Sequence, residues 1–131
     1  MSPSKAAGRL HKALDSLHKI ETHKLNVILQ QLETERHQML ELASFIQSQQ
    51  ESISTFSDLN MRSLSSAKRR VHQLEEEFNQ QKLVVAQAGL GSDKAKHRLR
   101  QATRQEDEKR LDRNNEEHLT RLSSNQSASL R

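Results

Sequence analysis

The chain of 131 residues contains no cysteine, no tryptophan and no tyrosine, and its only aromatic residues are three phenylalanines. The absence of cysteine excludes a disulfide framework and any thiolate metal site or nucleophile. Apolar residues make up 32% of the chain and aromatic residues 2%, which is too little for a globular core of ordinary size. The composition therefore argues against a compact globular protein.

Helix-breaking residues are also scarce, since the sequence has one proline and three glycines. Leu, Gln, Glu, Lys and Arg are abundant, and these residue types favour α-helix. Disorder is the competing interpretation, because 29% of the residues are charged and highly charged chains bury little apolar surface. The balance favours long helices that bury a narrow stripe.

No apolar run is long enough to span a bilayer, the longest being LVVAQAGL at 83–90. The N-terminal sequence MSPSKAAGRLHK lacks the apolar run of a signal peptide. We therefore expect a cytoplasmic protein that is at most peripheral at the inner face of the membrane.

A seven-residue apolar repeat begins at Leu25 and forms a first coiled-coil seam. Leu14 and Leu17 precede Leu25 and Ile28 by eleven residues, which predicts a four-residue stutter upstream of the seam. The seam positions are Leu25, Ile28, Leu32, Glu35, Met39, Leu42, Ile46, Gln49, Ile53 and Phe56.

A second seam begins at Leu64 in a new phase, after the segment SDLNMRS, whose Ser, Asp and Asn favour turns and caps. We predict an all-α fold, an elongated antiparallel two-helix coiled coil, or helical hairpin, occupying 1–122. Helix one covers about 4–56, the turn 57–63 and helix two about 64–120, and a disordered C-terminal tail covers 123–131. The second seam contains Leu64, Ala67, Val71, Leu74, Phe78, Gln81, Val85, Ala88, Ser92, Ala95, Leu99 and Ala102.

The predicted turn sets a register in which the numbers of facing residues total 120, so that Ile46 faces Leu74. In this register Gly89 and Gly91 lie inside helix two, where we expect a soft spot or kink, with Ser92 capping a restarted helix. A phosphate-binding loop is the weaker interpretation, because a bare G-x-G lacks a preceding strand. Replacing both glycines by alanine should stabilise the helix by up to about 2 kcal/mol.

Seven histidines raise the hypothesis of a metal site. Only Asp15 and His18 have the carboxylate-x-x-His spacing of a di-metal bundle site, and a second copy is missing. Zinc sites need three or four convergent ligands, so solvated histidines are the simpler interpretation. Two packed helices also offer no desolvated interior for a nucleophile. We expect no metal, no cofactor and no enzymatic activity.

Basic residues are concentrated in the two terminal segments. Residues 1–24 carry five basic and two acidic side chains and residues 94–131 carry ten and six, whereas residues 25–93 carry six and nine. A hairpin would bring both terminal segments to one positive end, which a nucleic acid or an acidic protein surface could bind; a solvated face is the simplest alternative. The candidate partner-binding residues are Arg9, Lys12, Lys19, Lys24, Arg98, Arg100, Arg104, Lys109, Arg110 and Arg113.

Two segments carry a family resemblance. RLHKALDSLHKIETHKLNVILQQLETERHQML, at 9–40, is similar to the first helix of the FliJ-like family of flagellar and type III secretion export stalk proteins. RQEDEKRLDRNNEEH, at 104–118, resembles the charged end of the second helix in that family. The resemblance implies a non-enzymatic coupling component of a bacterial type III export apparatus. The partners it implies are a hexameric export ATPase bound through the terminal end, an export-gate membrane protein and escorted export chaperones.

Two other functions are open from the sequence. A generic coiled-coil scaffold or adaptor, homodimeric if its seams pair between chains, needs only the heptad pattern. A basic nucleic-acid-binding helical protein needs only the positive end, although its basic segments contain no aromatic residue on which bases could stack.

Overall fold

The computed structural model describes residues 2–48 and 57–129 of the chain. In these ranges the chain forms two long helices, α1 (Pro3–Ser48) and α2 (Ser57–Ser129), and no strand. The helices pack against each other, which confirms the predicted all-α two-helix fold. Neither described helix contains a stretch that is both long and apolar enough to cross a membrane.

The two helices contribute to two compact units. Unit 1 comprises Met1–Asp15 and Leu90–Arg131, and unit 2 comprises Ser16–Gly89. Each unit therefore contains one segment of α1 and one segment of α2.

In unit 2 the two segments meet along a narrow seam. Its fully buried residues are Leu32, Ala67 and Val71, with 2%, 3% and 6% of their surface exposed. The remaining apolar seam positions are half-buried, because two helices can shield only one side of each stripe. These half-buried residues are Leu25, Ile28, Met39, Leu42, Ile46, Leu64, Leu74, Phe78, Val85 and Ala88.

In unit 1 the seam is built from smaller residues. Ala95 and Ser92 are buried, with 2% and 6% of their surface exposed, and Leu14, Leu99 and Ala102 are half-buried beside them. The second seam predicted from the sequence is thus confirmed position by position from Leu64 to Ala102. Ser92 belongs to this seam and does not cap a restarted helix.

The predicted turn at 57–63 is wrong, because these residues form the first turns of α2. Ser and Asp favour turns, but they also favour the start of a helix, where Asp58 faces the positive end of the helix dipole. The predicted end of helix one, 49–56, lies outside the described residues. At the other end, α2 stays helical through Ser129, past the predicted end near residue 120.

The predicted register is also wrong. Gly89 lies beside His18 in unit 2, and Gly8 lies beside Leu99 in unit 1. The residue numbers of each pair total 107, whereas the predicted register requires 120. The difference is close to two heptads. A shift by whole heptads leaves the same seam positions facing each other, so the apolar repeat alone cannot choose between the two registers.

The predicted stutter is absent from α1. Leu17 is 44% exposed, whereas His18 and Glu21 are half-buried at the seam positions. The heptad therefore runs unbroken from Ser4 to Ile46, and His18 occupies the seam place that the sequence pattern assigned to Leu17.

One polar layer of unit 2 joins Glu21 to Gln81 across the seam. The Gln81 amide donates hydrogen bonds to the Glu21 carboxylate at 2.7 Å and to the Glu21 carbonyl oxygen at 3.0 Å. Lys24 pairs with the same carboxylate at 3.1 Å. The hydrogen bond from Gln81, followed by that from Lys24, holds the pKa of Glu21 below its usual value. A register shift would separate Glu21 from Gln81, so this layer favours the observed alignment.

Gly89 and Gly91 lie within α2 and neither has a positive φ. A β-carbon at Gly89 would stand 3.3 Å from Nε2 of His18, whereas one at Gly91 would meet no atom within 4 Å. Gly89 therefore makes room for the His18 imidazole in the seam of unit 2, and Gly91 has no comparable steric role.

We predict different effects for the two glycines. Gly91→Ala should raise the free energy of unfolding by up to about 1 kcal/mol, the helix-propensity difference between the two residues. Gly89→Ala should gain less, because the new methyl group crowds His18, and it should recover the full gain in a His18→Ala background. Urea unfolding of the variants measures these differences. A loss of stability in Gly91→Ala would contradict a helical backbone at this position.

Distances between paired labels test the register. Nitroxide labels at 36 and 75, where the Arg36 and Glu75 side chains form a 3.0 Å ion pair, should lie closer together than labels at 46 and 74. The second pair should be separated by about 20 Å along the helix axis, because it is thirteen residues out of register at 1.5 Å per residue. If the labels at 46 and 74 were closer together than those at 36 and 75, the observed alignment would be contradicted. The predicted register, in which the numbers of facing residues total 120, would then be correct.

Candidate partner-binding surface

The candidate basic residues fall in both units. Lys19 and Lys24 belong to unit 2, and the other eight belong to unit 1. All ten side chains are exposed. Unit 1 alone therefore contains most of the predicted positive end.

Several of the ten side chains already have partners. Lys24 pairs with Glu21 at 3.1 Å, and Arg110 pairs with Asp107 at 2.5 Å. Six others form no hydrogen bond or ion pair with any described residue. These six are Arg9, Lys12, Arg98, Arg100, Arg104 and Arg113.

Three further cations, which were missing from the predicted set, belong to the same surface. The side chains of Lys5, Lys94 and Lys96 are exposed and have no ion-pair partner among the described residues. The spacing of basic residues in the sequence could have indicated two of them. Lys5 stands four residues before Arg9 and Lys96 four before Arg100, which places each pair on one side of a helix. The parts of unit 1 at 2–15 and 90–106 thus carry eight basic side chains and three acidic ones.

One of these three acids, Glu106, is occupied in holding the start of α1. Its carboxylate accepts hydrogen bonds from the Ser4 backbone N–H at 3.0 Å and from the Ser4 hydroxyl at 2.5 Å. The first N–H groups of a helix have no partner within the helix, and a negative charge there is favourable. Glu106 of α2 therefore caps α1 and fixes the register of unit 1.

The same contacts set the ionisation of Glu106. The hydrogen bond from the Ser4 hydroxyl, and next that from the Ser4 N–H, hold the pKa of Glu106 below its usual value. Lys109 and Arg110 lower the pKa further, and partial loss of solvent opposes these effects. Glu106 is ionised at neutral pH, so its charge offsets part of the positive surface around it.

Beyond Glu106, α2 continues without comparable packing. Every described side chain from Asp107 to Gln126 is exposed. This stretch carries four basic and five acidic residues, and three exposed leucines, Leu111, Leu119 and Leu122. The positive charge of unit 1 therefore belongs to the part where α1 and α2 pack together, and not to the end of α2.

The histidines are dispersed along both helices. His11 and His18 are half-buried at seam positions of α1, and the other five are exposed. Within 2–48 and 57–129, no group of three or more histidine, aspartate or glutamate side chains could hold a metal ion.

Comparison of the chain with protein-family models, curated proteins and solved structures finds no match. The FliJ-like resemblance therefore stays a prediction from the two segments that carry it.

The capping role of Glu106 predicts a pH dependence. A lowered carboxyl pKa contributes stability above the unfolded-state value, and this contribution is lost as the pH falls through the folded-state pKa. The wild-type chain should therefore melt at a higher temperature than Glu106→Gln at neutral pH. The difference should shrink once the pH falls below about 4.3, the usual glutamate value.

The matched control is Glu108→Gln, since Glu108 is exposed and makes no hydrogen bond or ion pair with a described residue. Its melting temperature should follow that of the wild type across the same pH range. A pH-independent difference between the wild type and Glu106→Gln would show that the Glu106 charge does not stabilise the start of α1.

Proposed function

We propose that the protein is a non-enzymatic coupling or scaffold component that binds a partner protein through the positively charged surface of unit 1. The observation that supports this proposal is the set of eight basic side chains at 2–15 and 90–106 without an ion-pair partner among the described residues. Clustered like charges steer an oppositely charged partner and raise its association rate. Within the described chain they form no ion pair that would occupy them.

The more specific form of the proposal comes from the FliJ-like resemblance. In this form the protein is a coupling component of a bacterial type III export apparatus, flagellar or injectisome, and unit 1 binds the hexameric export ATPase. An export-gate membrane protein and escorted export chaperones are the further partners that the resemblance suggests. Coupling of this kind requires weak contacts that form and break rapidly, which exposed cations provide better than a buried anchor.

A homodimeric coiled-coil scaffold is the second candidate. It is favoured by an apolar stripe on the part of α1 in unit 2, where Leu17, Ile20 and Val27 are 44%, 54% and 38% exposed. Their spacing places them on one side of the helix, away from the seam. Sedimentation mass separates the candidates, since the single chain has a mass of 15.1 kDa.

Charge reversal in unit 1 tests the proposal. The variant Arg98→Glu, Arg100→Glu, Arg104→Glu changes three exposed residues that have no partner in the described chain. We expect it to lose binding to a purified hexameric export ATPase, and to lose stimulation of ATP hydrolysis, while its helical circular dichroism is unchanged.

The matched control is Arg62→Glu, Lys68→Glu, Arg69→Glu in unit 2, which changes the net charge equally at three exposed positions. It should bind like the wild type. Equal loss in both variants would mean that net charge alone is recognised. Undiminished binding by the unit 1 variant would mean that this surface is not the coupling site.

A further inference from the structure

The two helices of unit 2 have a heptad phase that is set by their buried seam, with Leu32 and Val71 at position a. Positions e and b of both helices lie on one face of the pair, where Arg36 and Glu75 form an ion pair at 3.0 Å. Positions c and g lie on the other face, where side chains of both helices line a groove of about 630 Å³. We call this second side the groove face of unit 2. The c and g residues that line the groove are Val27, Gln31, Thr34, Arg70, Gln73 and Glu77.

Exposed apolar side chains of unit 2 are concentrated on the groove face. Among the described residues, unit 2 has nine large apolar residues that are exposed. Six lie at c or g positions, two at e or b positions, and Leu83 lies on the outer side of α2. A face with this much exposed apolar surface is typical of a binding surface. The six residues are Leu17, Ile20, Val27, Phe45, Leu59 and Val84, with 38% to 59% of their surface exposed.

These six residues form two groups at opposite ends of the groove face. Val84 lies level with about position 23 of α1 and Leu59 with about position 48, because the numbers of facing residues total close to 107. One group is Leu17, Ile20, Val27 and Val84, and the other is Phe45 and Leu59. Polar side chains such as Gln31 and Gln73 line the groove between the groups. The face is therefore apolar at both ends and polar at its centre.

A second copy of the chain that is turned end to end matches this order. A two-fold axis through the groove places each helix antiparallel to its own copy, so that Ile20 faces Phe45 of the second copy. Gln31 then faces Thr34 of the second copy, because the numbers of both pairs total 65. One axis, level with the groove, therefore brings the apolar group at one end of each copy onto the apolar group at the other end of its partner.

The charges of the groove face follow the same axis. In the described part of unit 2 this face has four charged side chains, Lys24, Glu41, Arg70 and Glu77. The numbers of Lys24 and Glu41 also total 65, so Lys24 of one copy faces Glu41 of the other. Arg70 and Glu77 are centred about one residue, or about 1.5 Å, from this axis, so they too face each other between copies. Every charge on the face thus meets a charge of opposite sign, which favours a second copy over a partner that carries one sign of charge.

Contacts within the chain leave these four groups able to bind a second copy. The pairs within the chain are Lys24 with Glu21, Arg70 with Glu35, and Glu41 with His37. Both cations have further N–H donors, and the Glu41 carboxylate can accept further hydrogen bonds. Glu77 has no ion-pair partner among the described residues.

The size of the groove face suits a stable dimer. From Ile20 to Phe45 it is about 37 Å long at 1.5 Å per residue, and two helices side by side are about 20 Å wide. These dimensions correspond to about 700 Å² on each copy, close to the approximately 800 Å² per partner of a standard protein interface.

We infer that the groove face of unit 2 binds a second copy of this chain, in an antiparallel two-fold arrangement that stacks two intact helix pairs into a four-helix bundle. The inference deepens the second candidate function, the homodimeric scaffold, and rests on it. It differs from a coiled coil that exchanges seams between chains, because each α1 stays paired with its own α2. The cations of unit 1 take no part in this interface.

Sedimentation equilibrium of matched variants tests the inference. Ile20→Gln, Glu77→Lys changes the groove face, and Leu40→Gln, Glu33→Lys makes equivalent changes at exposed positions of the opposite face. The mass of the wild type should rise with concentration towards twice the 15.1 kDa of the single chain. The groove-face variant should dimerise about a hundredfold more weakly, since each loss occurs at two symmetry-related places. The control should change less than threefold, and both variants should keep the helical circular dichroism of the wild type.

Single nitroxide labels test the direction of the second copy. Gln30 and Ser44 are both exposed on the outer side of α1. In the antiparallel dimer the two labels at 30 should lie about 8 Å apart along the helix axis, and the two labels at 44 about 35 Å apart. A parallel dimer would bring each label level with its copy, so a short distance between the labels at 44 would overturn the antiparallel arrangement.

The outcomes separate this inference from the functions proposed above. If the wild type dimerises and the two variants are weakened equally, or not at all, the homodimeric scaffold is supported and the groove face is overturned. If the wild type stays at 15.1 kDa at every concentration, the dimer and the groove face are both wrong. Binding of the export ATPase through unit 1 is measured separately and does not depend on either result.

Discussion

Each helix of this protein can bury its apolar stripe only against the other helix. An isolated helix of polar composition is marginal in water, and most helical stability in proteins comes from packing of one face. Here that packing is thin, because the fully buried apolar residues in the described chain are Leu32, Ala67, Val71 and Ala95. Stability must therefore accumulate along the length of the seam, and a side chain without a partner helix adds little to it.

With so little apolar burial, polar contacts decide how the helices align. Glu106 reaches the start of α1 in unit 1, and Gln81 reaches Glu21 in unit 2. Shifting the helices out of this alignment would separate Glu106 from Ser4 in unit 1 and Gln81 from Glu21 in unit 2. A charged or amide group at a half-buried position would then lack its partner, which costs more free energy than the loss of an ordinary surface contact. The same alignment in unit 1 places Arg9 level with Arg100, so the contacts that fix the register also assemble the positive surface.

The sequence was sufficient to predict two long helices and every apolar position of the second seam, because the heptad repeat from Leu64 to Ala102 follows directly from burial of one stripe. It was not sufficient for the register, since alignments that differ by whole heptads bury equivalent stripes. The choice depends on particular polar contacts, such as Glu106 with Ser4, whose residues are far apart in the sequence. Leu17 was wrongly placed in the seam because apolar periodicity favours a leucine over His18, and the recess at Gly89 that accommodates the imidazole is visible only in three dimensions.

The positive end was predictable as a region, because it depends only on a count of charges in the terminal segments. Which of its cations already have a partner was not predictable, since that depends on which acidic side chains the folded helices bring near them. Arg110 is engaged with Asp107, for example, whereas Arg100 has no partner in the described chain. Lys5 and Lys96 were missed because they contribute little as individual charges, and their importance lies in their position beside Arg9 and Arg100.

Amide hydrogen exchange along α2 of the free chain tests most directly whether the helix depends on α1 for its stability. Amides from 64 to 106, where the seam residues are buried or half-buried, should exchange slowly. Amides from 107 to 126, where every described side chain is exposed, should exchange orders of magnitude faster. Equal protection from 64 through 126 in the free chain would contradict this dependence and would mean that α2 is stabilised by contacts other than its seam with α1.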